Sequence, residues 1–127
     1  MKIALPEHQG RIAPVFDTCL RILVFAQDQE DQGPIAQEDW SMVDRRDRVT
    51  RLEELDVDVL LCGGISCSVE DQICLRGIRL VAWLAGDVPK ILKAFRDGTI
   101  MDAEFAMPGT FLCRRRRQMR RMKRPVE

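Results

Sequence analysis

The segment Leu60-Leu61-Cys62-Gly63-Gly64-Ile65-Ser66-Cys67 constrains this chain more than any other. It follows Val57-Asp58-Val59, so an apolar run stops abruptly in a Gly-Gly turn bracketed by two thiols. A strand that feeds a Gly-rich turn and then a helix is where open α/β sheets put ligands. Glycines let the backbone come close, and the N–H groups that open the next helix favour an anion. Thiolates at such an edge suit a soft metal or a metal–sulfur cluster. The same residues also describe a tight strand-to-helix connection with one buried cysteine and one idle one.

The flanking sequence supplies the rest of a sheet. Lys2 to Leu5 reads as a first strand, Glu7 to Pro14 as a loop, and Arg21 to Ala26 as a second strand rich in Ile, Leu, Val and Phe. Ile35 to Met42 follows Gly33-Pro34, a turn signal, and reads as a third strand that closes a hairpin with the second. Asp44 to Leu55 is a helix with Val49, Leu52 and Leu55 on one side and Arg, Asp and Glu on the other. Val57 to Leu61 is a fourth strand, apolar enough to be covered on both faces. A second helix runs from Ser66 or Ser68 to Arg76 and ends at Gly77, and Ile78 to Leu84 is a fifth strand. A third helix spans Asp87 to Asp97, with Asp87 as cap, Pro89 in its first turn and Gly98 as stop. Val88, Ile91, Leu92 and Phe95 give it one apolar face. The order β-β-β-α-β-α-β-α predicts an α/β fold, a mixed five-stranded sheet between helices in three α/β/α layers. If the first and fourth strands are parallel neighbours, the loop after one and the turn after the other share a sheet edge.

A chain of 127 residues makes one domain the default and buries roughly two-thirds of its unfolded surface without staples. No stretch is apolar for long enough to span a membrane, and Met1 to Pro6 is too short for a signal peptide, so a cytoplasmic location is expected. In that compartment Cys19, Cys62, Cys67, Cys74 and Cys113 are thiols, and no pair is spaced C-x-x-C. Net charge is zero but lopsided: residues 114–127 hold eight basic residues and one acid, net +7, which leaves −7 on the rest. The expected division is an α/β domain over 1–109 and a basic tail over 110–127.

Cys67 is the first candidate, since a helix start lowers a thiol pKa. Cys62, at a strand end, belongs in the core. Cys74 lies on the same helical face as Cys67 and about 10 Å along from it, too far to share one metal ion, and core packing accounts for it better. His8, the one histidine, sits in the first loop, where it either is a solvated side chain or, if the loop folds over the Gly63-Gly64 turn, reaches the same edge. Cys19 is ambiguous. Arg11 and Asp17 frame the apolar Ile12-Ala13-Pro14-Val15-Phe16, either as an internal ion pair that pins the loop or with Arg11 facing an anionic ligand. No set of carboxylates on adjacent strands supports two-metal phosphodiester chemistry, and no nucleophile–base pair is present. Arg114 to Arg124 could hold a polyanion with strong salt dependence, yet it has no aromatic residue for stacking on single strands, and the plainer expectation is a mobile, solubilising tail that at times rests on the acidic body.

Two segments taken together resemble a known family. Gly10-Arg11-Ile12-Ala13-Pro14-Val15-Phe16-Asp17 is similar to the N-terminal signature of the dinitrogenase iron–molybdenum cofactor biosynthesis accessory family, and Leu61-Cys62-Gly63-Gly64-Ile65-Ser66 to its central strand-turn. Gly86-Asp87-Val88 and Phe105-Ala106-Met107-Pro108-Gly109 fit in order, so the resemblance spans almost the whole chain. It implies a ribonuclease H-like α/β fold without nuclease activity. It also implies non-catalytic binding of an iron–molybdenum cofactor, its precursor, or a related Mo/Fe/Cu-sulfide cluster, some relatives (the orange proteins) holding a molybdenum–copper sulfide. The family often has Cys directly after Met-Pro-Gly, whereas this chain has Thr110 there and Cys113 three residues on. The expectation is thus a cluster carrier or scaffold, not an enzyme. Arg11, Gly63, Gly64, Ile65 and Ser66 form its rim and Cys67 and His8 its direct ligands. Its partners are cluster-donor and cluster-acceptor proteins. The competing reading is an adaptor that binds RNA or an acidic protein through the tail.

Overall fold

The computed structural model describes residues 1–27 and 33–100. These form β1 (Lys2–His8), β2 (Arg11–Ile12), β3 (Arg21–Ala26), β4 (Ala36–Asp39), α1 (Arg48–Glu54), β5 (Val59–Leu61), α2 (Cys67–Leu75), β6 (Arg79–Val81) and α3 (Val88–Asp97), with a 3-10 turn at Arg45–Asp47. The sheet order is β4-β3-β1-β5-β6, with β2 paired to β1. β1 is central: it runs antiparallel to β3 (Leu5 opposite Leu23) and parallel to β5 (Ala4 opposite Leu60). β5 and β6 are parallel, and β3 and β4 are antiparallel.

The sheet is mixed, as expected, but has six strands among the described residues rather than five. The extra one comes from the segment read as a loop. Gln9 and Gly10 both take positive φ (53° and 80°), the geometry that folds β1 back as a hairpin, so Arg11 pairs with His8 and Ile12 with Glu7. The fourth and fifth strands are shorter than expected: β5 starts at Val59, because the Val57 N–H still serves the end of α1 by donating to the Leu52 carbonyl, and β6 stops at Val81, beyond which the Leu84 N–H donates to the Cys62 carbonyl at 3.0 Å.

Side-chain alternation distributes the strands between two cores. Ala4, Ile22, Val24, Leu60 and Leu80 pack on one face with Val49 and Leu52 of α1 and Ile73 of α2. Ile3, Leu5, Leu23, Phe25, Val59, Leu61 and Val81 pack on the other with Ile91, Leu92 and Phe95 of α3. Helices therefore cover both faces. The polar side of α1 contains one exception, because Arg48 is buried. Its guanidinium donates to the carbonyls of Phe16, Cys19 and Trp40 and to the Cys19 sulfur, and it lies 5.4 Å from the Trp40 ring centroid. A planar fork with five donors can satisfy three carbonyls at once, and here it ties the 16–20 loop to the end of β4.

Candidate functional site

β1, β5 and β6 point the same way, so their C-terminal ends share one edge of the sheet. On that edge lie the 10–17 loop, the 62–66 turn, the 82–87 connection, and the N-termini of α2 and α3. The two segments that carry the family resemblance meet there. Gly64 bridges Val15 in parallel: the Gly64 N–H donates to the Pro14 carbonyl at 2.7 Å, and the Phe16 N–H donates to the Gly64 carbonyl at 2.8 Å. The Ala13 N–H also donates to the Pro6 carbonyl at 2.9 Å.

This contact explains the glycines. A Cβ on Gly63 would lie 2.6 Å from the Ala13 oxygen and 2.7 Å from the Pro14 oxygen, closer than any side chain tolerates. One on Gly64 would meet the Pro14 oxygen at 3.1 Å and the Trp83 ring at 3.3 Å. Both residues are buried, and so is Ile65. Their first task is to admit the neighbouring loop, and the Gly64 amide is engaged by it.

Asp17 completes the junction. Its Oδ1 accepts the Ser66 N–H at 3.1 Å, just before α2 begins, and its Oδ2 faces Arg45 Nε at 3.2 Å. An acidic side chain from another loop thus serves the start of α2, where negative charge is stabilising. Burial pushes the Asp17 carboxyl up, but hydrogen bonding from Ser66 and the Arg45 charge outweigh it and hold it below the usual range. Asp17 pairs with Arg45, not with Arg11 across the loop. Arg11 is exposed, in β2, with its backbone bridged to Asp87 at the start of α3.

Cys67 is the first residue of α2, at this edge, and is exposed. Cys62 is fully buried, as expected of a strand-end cysteine. Cys19 is also buried, and burial, only partly offset by Arg48, pushes its thiol up to about 11. Cys74 is half-buried. His8 is exposed and lines a groove on the hairpin side, formed with residues of β3, β4 and the segments beside them, in which none of residues 63–67 takes part. The groove that His8 lines does not include Cys67. Among the described residues no group of three or more His, Cys, Asp or Glu is arranged to hold a metal ion. The 105–109 segment, Thr110, Cys113, the 109/110 domain boundary and the basic tail fall outside the described residues.

Sequence reasoning misses two participants. Trp83 occupies the left-handed region (φ 63°), rare for a bulky residue, and lays its ring against Gly64 while its backbone N–H donates to the Gly63 carbonyl at 2.8 Å. Nothing local in the sequence marks that conformation. Arg45 reads as part of a solvated helix face, and its role depends on Asp17, 28 positions away.

These elements define a mixed α/β domain with helices on both faces of a six-stranded sheet and a clasped loop pair at the C-terminal edge. Solved structures share this fold. The crystal structure of PH0822 superposes with a TM-score of 0.74 at 16% identity, covering 88% of this chain and 98% of that one. A dinitrogenase-like protein of Methanocaldococcus jannaschii, MJ0327, gives a TM-score of 0.61 at 19% identity, with 78% and 90% covered. A NifB-like protein of Thermotoga, TM1290, described as a member of the DUF35 family, gives 0.62 at 14%, with 77% and 89% covered. No family model and no curated protein matches the chain. No helix among the described residues is long and apolar enough to cross a membrane.

Proposed function

We propose that this chain is a non-catalytic carrier or scaffold for an anionic metal–sulfur cluster, with a ribonuclease H-like fold and a nitrogenase-related role. The cargo in this reading is an iron–molybdenum cofactor, its precursor, or a related molybdenum-, iron- or copper-sulfide cluster. The observation that carries the reading is the position of Cys67: an exposed thiol at the first residue of α2, on the sheet edge where α3 also begins. Soft thiolate suits such metals, and two helix N-termini give the edge a positive bias. Two fold neighbours, one dinitrogenase-like and one NifB-like, support the same theme.

The clasp refines how the rim would act. The Gly64 and Ser66 amides already donate to Pro14 and Asp17. Gly63, Gly64, Ile65 and Ser66 therefore serve the cargo by holding Cys67 at the edge, and Arg11 is an exposed positive charge on that edge. His8 belongs to a separate groove, so its part as a second ligand requires the cargo to reach around the hairpin. One thiolate plus diffuse positive charge is a sparse site, which suits a protein that takes a cluster from a donor and yields it to an acceptor.

Anaerobic reconstitution with iron, sulfide and either molybdate or copper, followed by gel filtration and metal analysis, tests this reading. Wild type is expected to retain metal and sulfide with a visible charge-transfer band, and Cys67→Ser to lose most of both. No retention by wild type removes the carrier reading, and equal retention by Cys67→Ser removes Cys67 from the site.

A further inference from the structure

The function proposed above leaves two features unused: the basic tail and the groove beside the β1–β2 hairpin. The groove has a volume of about 820 Å³ and is lined by Glu7, His8, Leu20, Gln37, Glu38 and Asp39, among others. Three carboxylates and one guanidinium, that of Arg21, line it. Glu7 is paired with Arg21, and Glu38 with Arg51. Asp39 is exposed: its Oδ1 accepts the Ser41 N–H at 2.8 Å, and Arg21 opposite it on β3 is a nearby charge that leaves the carboxylate open to a further cation from solvent. Exposed apolar surface adjoins these charges: Leu20 is 60% exposed, and Met42, next to Ser41 at the rim, is 92% exposed.

We infer that this groove is the docking site of the chain's own arginine-rich segment, Arg114 to Arg124. Charge complementarity is the first argument. Residues 114–127 carry net +7 and the remainder of the chain −7, and the groove concentrates acidic groups on a concave surface. Composition is the second: Met119 and Met122 interrupt the arginines, giving the segment apolar groups to set against Leu20 and Met42 as well as cations for Asp39, the one lining carboxylate not in a salt bridge among the described residues. Reach is the third. α3 ends beside the far end of β3, where Arg96 donates to the Ala26 carbonyl at 3.0 Å, so the chain leaves Ile100 at the opposite end of the sheet from the groove. β1 spans about 23 Å from end to end, and the 13 residues 101–113 can cover up to about 45 Å. The docked segment would lie against His8 and the hairpin tip, covering the side of the edge that Cys67 does not occupy.

Photo-crosslinking in the full-length chain tests this. Benzoylphenylalanine replaces Gln37, an exposed groove residue, and in a control protein replaces Thr50, an exposed residue of α1 outside the groove. Mass spectrometry of the irradiated monomer is expected to join position 37 to residues 114–124 about tenfold more often than position 50. Raising the salt from 50 mM to 0.5 M should reduce that yield about tenfold, since screening shortens the reach of each charge. Asp39→Asn, which keeps the acceptor for Ser41 but removes the charge, should lower it about threefold at low salt. Equal yields from positions 37 and 50, a yield indifferent to salt, or crosslinks found only between two chains or to copurified nucleic acid would each overturn the inference. The metal content of the protein does not enter this readout, so the carrier reading and this one fail independently.

Discussion

Gly63→Ala is the sharpest test of the clasp at the sheet edge. The new Cβ would lie 2.6 and 2.7 Å from two backbone oxygens, those of Ala13 and Pro14, and neither is the free end of a flexible side chain. Relief requires the 13–16 loop to move away. That loop holds the Gly64→Pro14, Phe16→Gly64 and Ala13→Pro6 hydrogen bonds, at 2.7, 2.8 and 2.9 Å. At about 1 kcal/mol for each bond lost or stretched, and with Phe16 drawn partly out of the core, the expected cost is about 2–4 kcal/mol. For a chain of this size that is a fall in Tm of about 6–14 °C. Urea unfolding followed by circular dichroism measures it as a lower midpoint at unchanged slope. Gly33→Ala serves as the reference, because a Cβ there meets nothing within 4 Å and its cost should stay within about 0.5 kcal/mol. Gly64→Ala, with contacts of 3.1 and 3.3 Å, should fall between the two. A Gly63→Ala protein as stable as wild type would refute the reasoning that the glycine exists to admit the loop.

Three further outcomes follow from the geometry. Among the four described cysteines, iodoacetamide on the native protein should modify Cys67 first, with Cys74 slower and Cys19 and Cys62 unmodified until urea is added. Peptide mass mapping checks this order, and early labelling of Cys19, whose thiol is pushed up to about 11 by burial, would contradict it. Asp17→Asn should cost about 1–2 kcal/mol at pH 7. Because the folded carboxyl lies below its ordinary value, its contribution is present above about pH 4 and disappears as pH falls through the folded pKa, so the stabilities of wild type and the Asp17→Asn variant should converge in acid. Arg48→Met should cost about 3 kcal/mol in denaturant unfolding, since the buried carbonyls of Phe16, Cys19 and Trp40 lose their donors, and a loss under about 1 kcal/mol would mean that water replaces the guanidinium.

Much of the fold is legible in the residues themselves. The first and third helices follow from amphipathic spacing, and the second and third from boundary residues: Ser66 precedes α2, and Asp87 and Gly98 bracket α3. Neither Ser66 nor Asp87 caps through its own side chain, and at α2 the job passes to Asp17. The parallel pairing of the first and fourth strands, which the sequence left as a condition, is met in the structure, and it brings the two signature loops together. The two-residue strand β2 does not. Arg11 and Ile12 have no periodicity to show, and their extended shape comes from β1 on one side and residues 86–88 on the other, where the Ile12 N–H donates to Gly86 and the Val88 N–H to Gly10. The site divides in the same way. Cys67 is legible because helix start and thiol lie within two residues of each other, while the His8 groove and the Asp17–Arg45 pair join residues far apart in sequence.

Sequence alone determined the layered α/β class, because strand and helix periodicities are local, and it determined that a thiol would stand where a strand gives way to a helix. Only the folded chain decided which amides at that edge are already engaged, that Arg48 would be buried and that Trp83 would fold over Gly64. Those outcomes depend on which backbone oxygens come within about 3 Å of one another, a distance set by the packing of segments some fifty residues apart.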